Sequence, residues 1–278
     1  MMKTWKTVLG LTALSAFTVL AACGGEEAET GSGDEKTLIV GASNVPHAEI
    51  LEHVQEEYEA KGYKLEIKKF QDYVLPNKTL ASGELDANYF QHEPYLESQM
   101  AENKDYKFAS AGGVHIEPIG VYSQKYKSLD ELPEGAEIIM SSSVADHGRI
   151  LTMLQSEGLI TLAEGKTVDA TVSDIVDNPK DLKFKTDVEA ALLPTAYNNG
   201  EGDAVLINTN YAIDAGLNPL EDAIALEGED SPYVNLIVTR EGDEEDERVK
   251  ALLEVLTSEE TQQWILDEYK GAVVPVKQ

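Results

Sequence analysis

Between Asp86 and Leu96 the chain reads DANYFQHEPYL, and this stretch brings three rings to one junction. Alternation puts Asp86, Asn88 and Phe90 on one face of a strand, with Ala87 and Tyr89 on the other. The chain then turns through Gln91, His92 and Glu93 into a helix that Pro94 can open, because proline suits the first helical position. Phe90 and His92 fall near the carboxyl end of the strand, and Tyr95 falls in the first turn of the helix. In open α/β sheets that edge is where ligands bind. Such a junction is a wall for something small and partly apolar.

Two other constellations could carry different chemistry. Five histidines, His47, His53, His92, His115 and His147, with Glu93 and Glu117, are the raw material of a metal-binding receptor. No pair has the close His-x-His or His-x3-His spacing of a zinc site, so no metal or other cofactor is assigned. Ser141, Ser142 and Ser143 stand beside Asp146 and His147, the residue types of a hydrolytic triad. The G-x-S-x-G elbow is missing, and triads are recognised by geometry rather than adjacency. The chain is therefore read as a binding protein and not as an enzyme.

The elements that position these residues alternate along the chain. Residues 37–42 (TLIVGA) read as a buried strand. Pro46 opens a helix whose Ile50, Leu51, Val54 and Tyr58 fall on one stripe, and Gly62 stops it. Residues 63–70 alternate as a second strand, and a helix follows over 76–82. After Ile116 the pattern restarts with strands at 119–123, 136–140, 172–176, 182–185 and 203–207. A short turn of helix covers 128–132. A polar loop over 141–148 precedes a helix over 149–157. Residues 234–239 form a last strand, followed by two helices ending near Tyr269. Alternating strand and helix argues for an α/β fold with mostly parallel sheets. Two lobes are expected, 37–124 plus 232–278 and 125–231. The chain crosses between them near 122–128 and 231–234, and a cleft between lobes is the default ligand site.

Ahead of this body stands different material. Lys3 and Lys6 precede a short apolar run ending Leu20-Ala21-Ala22-Cys23, which is too short for a confident spanning helix. The run resembles the lipobox of bacterial lipoproteins, in which the cysteine is lipidated and becomes the first mature residue. Residues 1–22 are then a signal peptide, and 23–36 a flexible acidic tether with roughly 20 Å of reach. Cys23 is the only cysteine, so no intrachain disulfide or downstream thiol chemistry is available. The formal net charge of −29 excludes the basic footprint of a nucleic-acid partner. It also leaves membrane attachment to the lipid.

Several stretches together resemble one family, the methionine-binding lipoproteins of bacterial ABC importers, the MetQ/NlpA group. They include VPHAEIL (45–51), DYVLPNKTLASGELDANYFQHEPYL (72–96), EPIGVYSQKYKSLDELPEGA (117–136), HGR (147–149), INTNYA (207–212), DSPYVNLIVTR (230–240) and GAVVP (271–275). The resemblance implies a two-lobed periplasmic-binding-protein fold, type II-like, with two hinge crossovers. It implies a protein that captures L-methionine and delivers it to an ABC permease and its ATPase. Carried over by motif, an aromatic box falls on Tyr73, Phe90, His92 and Tyr95. The carboxylate partner falls on Arg149, at a helix start where free amides favour anions. Polar contacts fall on Asn208 and Asn235. Where many members read Pro-Asn-Asp-Pro-Thr-Asn before Gly-Arg, this chain reads SSSVADHGR, with Ser142 and Asp146 at the two asparagine positions. Asp146 could pair a ligand ammonium or cap the helix. Gram-positive relatives look like this chain, which implies a place on the outer face of a cytoplasmic membrane. A methionine-containing dipeptide, another apolar amino acid and a metal ion are the alternative ligands.

Cys23→Ala is expected to release the protein from membranes or to block its processing. Fractionation of the variant as a cleaved, membrane-bound protein would count against the lipid anchor.

Overall fold

The computed structural model describes residues 36–228 and 231–276. The leader, Cys23 and the tether up to residue 35 lie outside the described residues. Strand β1 (Thr37–Ser43) is buried from Val40 onward. A turn over Asn44–Ala48 leads into α1 (Glu49–Ala60), and Ile50, Leu51, Val54 and Tyr58 are its buried stripe. Gly62 follows at φ +94°, a left-handed conformation that stops a helix cheaply only at glycine. Then come β2 (Lys64–Phe70), α2 (Leu75–Ala81), β3 (Ala87–His92) and α3 (Glu93–Glu102). The next strand, β4 (Phe108–Ile116), has no counterpart in the sequence reading. Its FASAGGVHI is rich in small residues and gives no alternation to detect.

From β4 the chain crosses at Glu117–Ile119. Beyond the crossing lie β5 (Gly120–Tyr122), β6 (Glu137–Ser141), α4 (Val144–Ser156) and a small hairpin of β7 (Thr161–Leu162) and β8 (Ile175–Asp177). They are followed by β9 (Lys183–Val188), α5 (Leu193–Asn198), β10 (Ala204–Ile207), α6 (Thr209–Asp214), α7 (Pro219–Asp222) and β11 (Ala223–Leu226). The return crossing begins at Glu227 and reaches Tyr233. The chain then closes with β12 (Val234–Arg240), α8 (Glu247–Leu256), α9 (Glu259–Tyr269) and β13 (Val274–Pro275).

Two mixed sheets result, ordered β13-β4-β12-β3-β1-β2 and β11-β5-β10-β6-β9. Strands β1, β2 and β3 are parallel, as are β6, β9 and β10. The strands next to the crossings run antiparallel: β12 to β3 and β4, and β5 to β10 and β11. Asn235, at the start of β12, pairs with His92 at the end of β3. Gly120, at the start of β5, pairs with Ile207 at the end of β10. Both crossings therefore enter at the carboxyl edges of parallel strands. Because β5 pairs in the second sheet, the first crossing precedes the 122–128 expected, and the second starts before 231. Each sheet has its own apolar core, around Val40, Leu51 and Leu252 in one and Met140, Ile150 and Leu206 in the other.

Helix α4 corrects the sequence reading. It starts at Val144, so Asp146, His147 and Gly148 are helical and not part of a loop. Asp146 is not a cap; it lies in the first turn, where the helix dipole favours a carboxylate. Arg149 is a turn further in, away from the free amides of the helix start. Gly148 has a steric reason: a Cβ there would stand 2.2 Å from the main-chain oxygen of Val168. Main-chain atoms cannot swing aside, and overpacking typically costs about 1–3 kcal/mol. Gly148→Ala should lower stability by at least that order in urea unfolding. A variant as stable as the parent would mean that this helix–loop contact is loose.

Candidate ligand-binding site

The carboxyl edges of the two sheets face each other around a small pocket, about 400 Å³ with its mouth included. Tyr73, just before α2, joins Phe90 on β3 and Tyr95 on α3 in a triangle of rings with centroids 5.9, 5.9 and 6.0 Å apart. Tyr95 donates its hydroxyl to the Tyr73 carbonyl at 3.0 Å, which fixes the triangle. Beneath it, Asn77 on α2 is hydrogen-bonded to the Asn88 and Gln91 amides of β3 at 2.8–3.0 Å, so the two elements carrying the rings are tied together. The Tyr73 hydroxyl donates to Asn210 Oδ1 at 2.6 Å, linking the first sheet's side of the pocket to α6.

His92 is at once the last residue of β3 and the cap of α3, with Nδ1 accepting the Tyr95 N–H at 3.2 Å. That leaves the ring proton on Nε2, which lies 3.5 Å from Asp146 Oδ1 across the pocket. Burial opposes ionisation of Asp146, but His92, Arg149 and Asn208 outweigh it and hold the carboxyl below its ordinary value. Asn208 Nδ2 stands 3.4 Å from both Asp146 oxygens. Its Oδ1 is buried and has no hydrogen-bond partner among the described residues.

Arg149 is 5% exposed and already heavily engaged. Nε donates to Glu227 Oε2 at 3.0 Å, and Nη2 donates both to the same oxygen and to the Glu117 carbonyl at 2.7 Å. The guanidinium lies 4.6 Å over the Tyr233 ring. Among the described residues only Nη1 has no hydrogen-bond partner, so the guanidinium offers a ligand one nitrogen rather than a two-pronged grip.

Eight of the nine expected ligand residues line the pocket. The exception is Ser142, whose N–H bonds the Val188 carbonyl at 2.8 Å and which lines the neighbouring groove. Glu117, Gln91, Thr209 and Asn210 line the pocket without having been expected. Glu117 lies on the first crossing, 6% exposed. Its Oε1 accepts from His115 Nε2 at 2.7 Å and lies 3.2 Å from His47 Nε2, and its Oε2 accepts the Asn210 N–H at 3.0 Å. Burial nonetheless raises its pKa above the usual carboxylate value. The sequence signal was present in the H-x-E of residues 115–117, but the partner His47 is distant in the chain.

His47, His115 and Glu117 could hold a metal ion, since their ligand atoms fall within 4.8 Å of one another. Their spacings are those of hydrogen bonds, and His115 Nδ1 is taken by the Tyr89 hydroxyl. His47 also contacts Asn235 Oδ1 at 3.0 Å. The set is joined as a polar network, with His47 Nδ1 buried and without a partner among the described residues. His53 stacks on Trp264 at 4.0 Å. His147 Nε2 points at the Ser141 carbonyl at 2.9 Å and not at a serine hydroxyl, so those residues do not form a charge-relay arrangement.

Burial pushes the His47 pKa down to about 4 and that of His115 down to about 3, against an ordinary 6.5. The unfolded chain takes up these protons near pH 6.5, while the folded protein resists until pH 4 or below. The stability they contribute is complete above pH 6.5 and drains away as pH falls toward 4, at about 1 kcal/mol per pH unit for each ring. The raised Glu117 acts in the opposite direction. NMR should find that the His47 and His115 imidazoles do not titrate above pH 5, with a melting temperature that declines on acidification. Titration of both rings near 6.5 would contradict the network.

The family model described as NlpA lipoprotein matches residues 38–277. The methionine-binding lipoprotein MetQ of Bacillus subtilis strain 168 is 50% identical over 276 residues, covering 98% of this chain and 99% of the relative. A lipoprotein and pheromone cOB1 precursor of the YaeC family from Enterococcus faecalis V583 superposes with a TM-score of 0.84 at 56% identity, covering 86% of this chain and 100% of that one. A nutrient-binding protein from Burkholderia cenocepacia, solved bound to methionine, gives a TM-score of 0.80 at 43% identity, covering 86% and 100%. With its two-lobed periplasmic-binding fold, this chain belongs to the NlpA lipoprotein family.

Proposed function

We propose that this protein captures L-methionine in the pocket between its two sheets and hands it to an ABC permease driven by an ATPase. The observation that carries this reading is the ring triangle of Tyr73, Phe90 and Tyr95 facing Arg149 and Asp146 across one pocket. A thioether gains roughly 0.3–1.5 kcal/mol from each favourable ring contact. The opposite wall has the polarity a zwitterion needs, because a buried charge without a partner is costly. Arg149 Nη1 takes the carboxylate. Three acceptors suit the ammonium: Asp146, the unpartnered Asn208 Oδ1, and Glu117. A carboxylate has about four lone-pair sites, and Glu117 uses two of them in hydrogen bonds to the described residues.

The relatives named for methionine support the same ligand. We take residues 37–116 with 234–276 as one lobe and 119–226 as the other, closing about the two crossings. Attachment is assigned to the lipid on Cys23, at the outer face of a Gram-positive cytoplasmic membrane. Among the described residues no helix is long and apolar enough to cross a membrane.

Calorimetry on ligand-stripped protein separates the two halves of the ligand. Arg149→Ala leaves a desolvated carboxylate without its partner, a loss of about 2–5 kcal/mol. That is roughly 30-fold to several thousand-fold in affinity, for methionine and norleucine alike. Phe90→Ala should instead weaken methionine while narrowing its preference over alanine. Parent-like methionine binding by Arg149→Ala would remove the arginine from the site.

A further inference from the structure

Glu227 is not among the residues expected to touch ligand, yet its carboxylate bonds Arg149 and both crossings. Its Oε2 accepts from Arg149 Nε and Nη2 and from the Ile119 N–H at 3.2 Å. Its Oε1 accepts the Ser231 hydroxyl at 3.0 Å, and that hydroxyl in turn accepts the Tyr233 N–H at 3.2 Å. The Glu227 N–H donates to the Ile119 carbonyl at 3.0 Å. One residue thus bonds the first crossing at Ile119, the second crossing at Ser231, and the arginine on α4. Tyr233, ordered by the same hydroxyl, is the ring beneath the guanidinium and stands edge-on to His92 at 4.9 Å.

We propose that Glu227 is the positioning residue of Arg149, a clasp that locks the guanidinium so that Nη1 alone faces the ligand and that joins this anion site to both crossings. The inference rests on the reading that Arg149 holds the ligand carboxylate. An arginine side chain has several rotatable bonds, and a single free nitrogen is selective only if the other two are held. Glu227 and the Glu117 carbonyl hold them. The clasp also makes the lobe connection and the anion site one mechanical unit: the crossings cannot shift at Ile119 or Ser231 without moving the carboxylate that orients Arg149.

The test is the preference for methionine over methioninamide, which keeps the thioether and ammonium but lacks the carboxylate. It is read by calorimetry on stripped protein, with thermal melts alongside. Arg149→Ala should abolish the preference. Glu227→Gln keeps the shape but loses the charge that grips two guanidinium nitrogens. It should lower methionine affinity about tenfold or more, the effect of removing an outer partner at a preorganised site, while methioninamide changes little. The double variant should bind methionine no worse than Arg149→Ala, because the two residues act through one contact. If Glu227→Gln folds poorly, Glu227→Asp keeps the charge but is one methylene too short to reach Arg149 and Ile119 together. It should show the same loss of preference at a parent-like melting temperature. A parent-like preference in a folded Glu227 variant overturns the proposal while leaving Arg149 in its role. So does an equal loss for both ligands that adds to that of Arg149→Ala, which marks a purely structural residue. An unchanged preference in Arg149→Ala overturns instead the reading on which the proposal rests.

Discussion

A carboxylate buried where the chain leaves its first sheet sets the terms for everything near it. Glu117 is 6% exposed, and a buried charge is tolerated only with a full set of donors. Its polar neighbours come from three separate places. His47 lies in the turn before α1, His115 lies on β4 next to the crossing, and the Asn210 N–H lies at the start of α6 in the other half of the molecule. Each histidine is itself constrained, His115 by the Tyr89 hydroxyl and His47 by Asn235. Satisfying one carboxylate therefore fixes the relation of β3, β4, β12 and α6, the elements whose ends form the pocket.

Local patterns carried the parts of this arrangement that depend on local physics. The stripe of Ile50, Leu51, Val54 and Tyr58 repeats at helical spacing, and all four are buried. The strand-to-helix junction at 86–96 is legible because Pro94 and the rings fall at fixed offsets from the strand end. Where the reading failed, a long-range contact had chosen the residue. Strand β4 looks like a loop because Gly112 and Gly113 are small to admit Leu253 and Val234, which come from the far end of the chain. The start of α4 was missed because three serines and Gly148 suggest a loop. That glycine instead answers to the Val168 backbone. Arg149 was identified through the family resemblance, but its partner Glu227 lies 78 positions away with no periodic signal to join them.

The overall charge and the site obey different rules. Most of the acidic residues behind the net −29 are solvated, where each charge is screened and contributes chiefly to solubility. Asp146, Glu117 and Arg149 are nearly removed from water, so their pairing decides what can enter. Arg149 is largely matched within the protein by Glu227. Asp146 is matched less well, since its contacts from His92 and Asn208 are 3.5 and 3.4 Å. Charge-assisted hydrogen bonds of full strength are closer to 2.7–2.9 Å.

That imbalance bears on how closure and binding are coupled. His92 belongs to the first sheet, and Asp146 and Asn208 to the second, so the long His92–Asp146 contact is also a contact between lobes, while that from Asn208 stays within the second. A cation placed among them would supply a stronger donor than the Asn208 amide. The rings of Tyr73, Phe90 and Tyr95 all sit on the first sheet's side, while Asp146, Arg149 and Asn208 sit on the second's. A ligand with an apolar sulfur chain at one end and a zwitterion at the other would meet both walls at once. Such a ligand would favour closure only by as much as its affinity for the closed arrangement exceeds that for the open one.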